Sequence, residues 1–253
     1  MSHAAHAKLV FARDAVTTAS ALAPARRSFA SSSPALRPDI VAADTAFRAA
    51  LASNHRWATE TAKTDSGFFL AAAKGQSPRI LWLGCSDSRV PETTVLGLKP
   101  GEIFTHRNIA NIIGPTDLSL LAVIEFSVVH LKVSHIVVCG HTSCGGVAGC
   151  LANAKLGGPL DIWLQPLRAL REIHFEEMEK LDHKEKDLFL GMKNVQSSVD
   201  VVRRIPTVID AVRGRGLEIH GVMYHLDSGV LREVQVSEHE KAAHLREATF
   251  ERK

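Results

Sequence analysis

No uninterrupted apolar run in this 253-residue chain approaches the roughly 20 residues of a membrane-spanning helix, so no membrane span is expected. Net charge is scarce as well, at +3, and much of it sits near the N-terminus. There is no basic stripe interleaved with aromatic residues, which argues against nucleic-acid binding. Internal repeats are absent, and no serine has a paired base at a spacing that would make it a nucleophile. Cysteine is sparse, with four residues at 85, 139, 144 and 150. Two disulfides would suit a small secreted domain, which a chain of this length is not. Two of the cysteines cluster instead beside histidine, which favours metal binding in a reducing compartment.

The remaining composition, 45% apolar and 23% charged, is that of a globular protein with ample core. Residues 1–38 stand apart: they are rich in Ala and Ser and carry Lys8, Arg13, Arg26, Arg27 and Arg37 against one acidic residue, Asp14. An Arg- and Ser-rich, acid-poor segment has the composition of a mitochondrial transit peptide, and Arg27-Ser28-Phe29-Ala30 is similar to a matrix-protease cleavage site. Localisation in the mitochondrial matrix is expected, with a disordered leader on a cytoplasmic protein as the alternative. A secretory signal fits less well, because no compact apolar core follows a basic start. Residues 39–253 are expected to form one domain. It opens with a helical arm, in which Ile40, Phe47 and Leu51 recur near a period of about 3.6 residues, and ends in a charged tail from Ser237 to Lys253.

Between arm and tail, strands and helices alternate. Strands are expected over residues 79–85, 102–107, 135–140, 217–226 and 230–236. Residues 117–131 are apolar around much of their circumference and read as a buried helix. A helix should start just after Cys144, where Gly145 and Gly146 allow close backbone approach. Residues 161–212 are helical with interruptions near Pro166 and Pro206, and Gly214 and Gly216 are stop signals. This order implies an α/β fold with a mainly parallel central β-sheet flanked by helices.

Chemistry concentrates in two short clusters, Cys85-Ser86-Asp87-Ser88-Arg89 and His141-Thr142-Ser143-Cys144. Both fall at the carboxyl ends of expected strands, where open parallel sheets place their sites. Two thiolates, one imidazole and one carboxylate make a complete tetrahedral zinc set. The carboxylate is the unusual member, since Arg89 can pair with Asp87 and draw it off the metal. A purely structural zinc normally takes four Cys or His ligands; Cys139 should point into the core, and Cys150 lies too far round a helix to share the face of Cys144. An ordinary loop ion pair between Asp87 and Arg89 is the other plain alternative. Two thiolates neutralise the dication, so a bound water should keep a pKa above the roughly 7 of sites with neutral ligands. A helix start at Cys144 would favour its thiolate.

The segments Gly84-Cys85-Ser86-Asp87-Ser88-Arg89-Val90-Pro91 and Cys139-Gly140-His141-Thr142-Ser143-Cys144-Gly145-Gly146 resemble a β-class carbonic anhydrase of the fungal and bacterial kind. Pro100-Gly101-Glu102-Ile103-Phe104 and Arg107-Asn108-Ile109-Ala110-Asn111 match the same pattern, and the similarity runs from about Asn54 to Val236. The resemblance implies one zinc per subunit on Cys85, His141 and Cys144, with Asp87 and Arg89 as a catalytic dyad and Asp87 on the metal in a closed form. It implies reversible hydration of carbon dioxide to bicarbonate and a proton, by attack of zinc-bound hydroxide. It also implies a homodimer or homotetramer with the cleft at the subunit boundary. Gln76 matches a donor to bicarbonate, and Phe104 and Ile109 match the apolar wall of the carbon dioxide pocket. Phe126 stands where plant members have a tyrosine. Trp82, Arg107 and Tyr224 match a regulatory bicarbonate site of bacterial members; core, ion-pair and strand roles are their ordinary alternatives. A carbon disulfide hydrolase and a catalytically silent zinc-binding homologue are the rival functions. His106, His130, His135 and His220 are read as packing or surface residues.

Overall fold

The computed structural model describes residues 38–236 and, beyond them, residues 245, 248 and 249, with side chains described from residue 45. The expected leader and most of the charged tail therefore lie outside the described residues. The chain divides into two units, residues 1–63 and 64–253. The described part of the first, residues 38–63, belongs to the helix α1 (Pro38–Thr64). Phe47 and Leu51 stand one turn apart on it and are both exposed, and Lys63 pairs with Glu60 at 2.8 Å near its end.

The second unit is built on a five-stranded sheet in the order β2-β1-β3-β4-β5. Its strands are β1 (Ile80–Cys85), β2 (Ile103–Asn108), β3 (His135–His141), β4 (Glu218–His225) and β5 (Val230–Glu233). The first four run parallel and β5 is antiparallel to β4, so the mainly parallel sheet expected from the alternation is present. The helices are α2 (Phe68–Lys74), α3 (Glu92–Leu96), α4 (Leu118–Glu125), α5 (Gly145–Leu151), α6 (Gly158–Trp163), α7 (Gln165–Ile173), α8 (Phe175–Met178), α9 (His183–Arg203) and α10 (Pro206–Arg215).

Central strands covered on both faces read as continuous apolar runs rather than alternating ones. In β1, Leu81 and Leu83 face one core with Ile136, Val138, Val195 and Val199, while Trp82 faces another with Val90, Ile103 and Cys139. Helix α9 lies tightly on the sheet because glycines leave room for it. A Cβ at Gly140 would fall 2.8 Å from Val195, and one at Gly221 would fall 2.9 Å from the same side chain. A third cluster under α5, α7 and α9 gathers Cys85, Cys144, Val147, Leu164, Leu167 and Leu190.

Two expected elements differ in detail. The helix expected over 117–131 is α4 followed by one wide π turn (Phe126–His130), closed by Leu131 N–H donating to Phe126 O at 3.1 Å. Ser127 Oγ donates to Ile124 O and so competes for a carbonyl of the regular ladder. This helix is buried on one face only: Leu120, Ile124 and Val128 are covered while Leu118, Phe126 and Val129 are exposed. The long helical stretch breaks at Pro166 and Pro206, each in the first turn of a helix, and also around His174 and before α9. The last break follows from a capping box, in which Asp182 accepts from Glu185 N–H at 2.8 Å and Glu185 accepts from Asp182 N–H at 2.9 Å. That reciprocal pairing starts a new helix rather than continuing an old one.

Candidate metal centre

Strands β1 and β3 are parallel neighbours, with Gly84 opposite Cys139, so Cys85 and His141 emerge side by side at their carboxyl ends. Cys144 follows after a tight turn in which Ser143 takes a left-handed φ of 54°, and it is the residue from which α5 springs. The three donor atoms all lie within 4.8 Å of one another, and all three residues are buried. His141 Nδ1 lies 3.0 Å from Thr142 O, a contact that holds the proton on Nδ1 and leaves a lone pair on Nε2. That Nε2 is buried with no hydrogen-bond partner among the described residues, although buried polar atoms are ordinarily paired. Two sulfurs and an orphaned imidazole nitrogen converging on one point fit a tetrahedral zinc held by three protein ligands.

The electrostatics agree with that fit. The Cys85 thiol is lowered to about 4, chiefly because Cys144 donates to it, with burial opposing and His141 and two backbone groups assisting. Cys144 moves the other way, since Cys85 and burial both hold the shared proton on it, while the Val147 and Gly146 amides lower it only partly. The two sulfurs thus share one proton, and the hydrogen bond between them competes with the helix end that favours a thiolate on Cys144. A cation would displace that one shared proton. Burial lowers the His141 pKa, but Cys85, Thr142 and Asp87 outweigh it and the net shift is upward.

Asp87 faces the centre without joining it. Its Oδ2 is 3.8 Å from His141 Nε2, and the carboxylate is gripped by Arg89. Arg89 Nη2 donates to Oδ2 at 2.7 Å, and its Nε and backbone N–H each donate to Oδ1 at 2.9 Å. The guanidinium holds the Asp87 carboxyl well below the usual carboxylate range. Arg89 Nη2 also donates to Ser143 O at 3.1 Å, which ties the two clusters together. Outside Arg89 and Ser143 opens a cleft of about 680 Å³, with Lys184, Asp187, His225 and Arg232 on its walls.

The family model for carbonic anhydrase matches residues 80–231. A carbonic anhydrase of Candida albicans is 40% identical over 192 residues, which are 74% of this chain and 68% of that one. The crystal structure of the Aspergillus fumigatus β-carbonic anhydrase CafA superposes with a TM-score of 0.80 at 49% identity, covering 82% of this chain and 99% of that one. A tetrameric β-carbonic anhydrase of Sordaria macrospora superposes with a TM-score of 0.75 at 48% identity, covering 76% and 98%. A relative from Arabidopsis thaliana, beta carbonic anhydrase 6, mitochondrial, is 32% identical over 67% of this chain and 61% of that one. This chain belongs to the β-carbonic anhydrase family.

The other residues singled out in this carbonic anhydrase fall in three places. Ile109 follows β2 directly beside the centre, half-exposed, in a turn of 3₁₀ helix over Ile109–Asn111. Arg107 donates from Nε to Cys85 O at 2.8 Å and from Nη2 to Asp87 O, and its Nη1 lies 3.6 Å from Glu92. It thereby fixes the main chain that presents both residues. Trp82 is fully buried, its Nε1 has no partner among the described residues, and a Cβ at Gly84 would collide with that nitrogen. Tyr224 packs partly buried against the same cluster. Gln76 and Phe104 lie elsewhere. Gln76 is exposed on the coil before β1, and Phe104 meets Phe126 with ring centroids 5.8 Å apart near the start of β2.

Several supporting residues were not singled out from the sequence. Asp187, on α9, accepts from Ser143 N–H at 2.8 Å and holds the left-handed turn before Cys144. Ala110 and Asn111 also take left-handed φ values, 61° and 45°. Their turn is held by Trp163 Nε1 donating to Ile109 O, Asn194 Nδ2 to Ala110 O and Ser198 Oγ to Asn111 O, at 2.8, 2.7 and 3.3 Å. Asn194 and Ser198 are one turn apart on the buried face of α9, so a polar pair inside an apolar stripe was the available hint. Asn194→Ala leaves the buried Ala110 carbonyl unpaired and should cost about 1–3 kcal/mol, read as a lower urea midpoint than wild type; an unchanged midpoint would mean that the turn is held by other means.

Proposed function

We propose that this enzyme hydrates carbon dioxide reversibly to bicarbonate and a proton at one zinc per subunit held by Cys85, His141 and Cys144. The observation that carries the proposal is the convergence of three buried donors, with an orphaned His141 Nε2, beside a carboxylate already turned toward Arg89. Zinc, when bound, would supply an acidified water that serves as nucleophile increasingly on the alkaline side of neutral. The Thr142 carbonyl keeps His141 in the tautomer that offers Nε2. Arg89 keeps Asp87 ionised well into acid, so Asp87 remains a hydrogen-bond acceptor that orients the nucleophile rather than a group that titrates near neutrality. Released from Arg89, Asp87 would take the fourth ligand position and close the site. The cleft outside Arg89 is lined by Lys184 and Arg232 and, against them, by Glu185, Asp187 and Asp227, so its walls carry both signs of charge.

Gln76, Phe104 and Phe126 sit toward the amino ends of β1 and β2, whereas the donors sit at the carboxyl ends. A strand rises about 3.3 Å per residue, which puts these side chains beyond reach of their own centre. We therefore place Gln76 and Phe104 in the substrate pocket of a second copy, beside that copy's Ile109, in a homodimer or homotetramer; the tetrameric Sordaria relative supports this. The unpaired Nε1 of Trp82 also favours a regulatory bicarbonate at Trp82, Arg107 and Tyr224. An anion drawing Arg107 away would loosen the Asp87 main chain and stabilise the closed form. Trp82→Phe should then abolish bicarbonate cooperativity, and unaltered cooperativity would remove this part of the proposal. The acid-poor leader and the mitochondrial Arabidopsis relative support the mitochondrial matrix over the cytoplasm. A reporter carrying residues 1–38 should enter mitochondria, and a cytoplasmic reporter would overturn that placement.

Cys85→Ser should lose both zinc, counted by mass spectrometry, and carbon dioxide hydration, followed by stopped flow. Arg89→Ala should keep zinc but lose about a hundredfold in rate, because the carboxylate is no longer held aside; full activity would refute the gating role. A carbon disulfide assay on the same preparation separates the rival substrate. Two thiolates leave less positive charge at the centre than neutral imidazoles would, so the hydration rate should climb from neutral to alkaline pH. A flat profile would contradict that charge balance.

A further inference from the structure

The amino ends of β3 and β4 bring together a second set of metal-binding side chains. In their parallel register His135 lies opposite Glu218, and Val137 lies opposite His220. Residues two apart on a strand share a face, so His135, Glu218 and His220 project to the same side. His135 Nδ1 and His220 Nε2 are 3.2 Å apart. Glu218 Oε2 lies 3.4 Å from the first and 3.3 Å from the second. The three donors form a nearly equilateral triangle.

Hydrogen bonds alone do not account for that triangle. Each of the two nitrogens can carry at most one proton. If both donate to Glu218, two N–H groups face each other across the His–His edge. If His135 donates to His220, the His220 nitrogen turns a bare lone pair toward the carboxylate. With His220 as the donor the same conflict moves to His135. For an ionised carboxylate, every arrangement of protons on the two rings leaves one edge repulsive. A cation at the centre removes the conflict, since all three lone pairs then point at it. In a tetrahedral site with bonds of about 2.0–2.1 Å, neighbouring donors stand about 3.3–3.4 Å apart, which matches the three edges. The His135 and His220 side chains are about one-third exposed and Glu218 more so, leaving an entry path and room for water.

We propose that His135, Glu218 and His220 form a second divalent metal site, with water completing the shell, that ties β3 to β4. Two imidazoles and a carboxylate select borderline first-row ions, zinc foremost. The site lies at the opposite end of β3 from His141, about 20 Å along the strand, and does not rest on the zinc assignment at Cys85, His141 and Cys144.

The test uses the full-length holoenzyme dialysed against buffered free zinc. Wild type should hold about one more zinc per chain than the His135→Ala/His220→Ala double variant, and the two should hydrate carbon dioxide equally. Added zinc should raise the wild-type melting temperature and leave the double variant's unchanged. Glu218→Gln, which keeps the shape, should weaken the extra binding by about tenfold or more, and it decides the matter if the double variant misfolds. Cobalt titrated in place of zinc should fill this site with no new sulfur-to-metal absorption, a band that belongs to the cysteine centre. Equal metal content in wild type and both variants, or a sulfur band accompanying the extra cobalt, would overturn the assignment.

Discussion

Arg89 grips the Asp87 carboxylate through three hydrogen bonds, and most of the surrounding architecture serves to keep that grip in register with the donors. The carboxylate stands 3.8 Å from His141 Nε2, at the edge of the three converging donors. A carboxylate so near a cation-binding centre would stay aside only with a strong competing charge, and a bidentate guanidinium is the side chain best shaped to provide one. On the proposed zinc site the competition would be local: one anion, two cationic claimants, a few ångströms of travel.

The backbone beneath this competition is fixed from several directions. Arg107 reaches the carbonyls of Cys85 and Asp87 and lies beside Glu92. Asp187 holds the Ser143 amide, and Arg89 itself holds the Ser143 carbonyl. Thus the loops after β1 and β3 are bound to each other and to α9, with the left-handed residues Ser143, Ala110 and Asn111 supported by side chains from elsewhere in the chain. Backbone in sparsely populated conformations persists where its surroundings over-determine it, and here those surroundings are the walls of the centre.

Much of this was legible in the sequence because it is written in short segments. The donors and the Asp87–Arg89 pair lie within five residues of one another in each cluster, and both clusters fall at the ends of apolar runs legible as strands, whose adjacency the sequence left open. The stops at Gly216 and the prolines were legible for the same local reason. What escaped depends on distant pairing. Asp187, Asn194 and Ser198 reach the centre only through the packing of α9, and His135, Glu218 and His220 meet only through the register of β3 with β4. The break before α9 was readable in Asp182-His183-Lys184-Glu185 but was overridden by the helical composition around it. Gln76 and Phe104 were recognised by motif, yet their place relative to their own donors is set by strand direction, which no motif states.

The seam between α9 and the sheet carries a practical consequence. Gly140, the residue before His141, and Gly221 let Val195 sit almost on the strand backbone, on the same helix α9 that carries Asp187. Efforts to toughen the protein against heat by swapping glycines for alanines would fail along this line. A single added methyl would lever the helix off the strands, and the damage would surface as a detuned reaction centre before it surfaced as an unfolded chain.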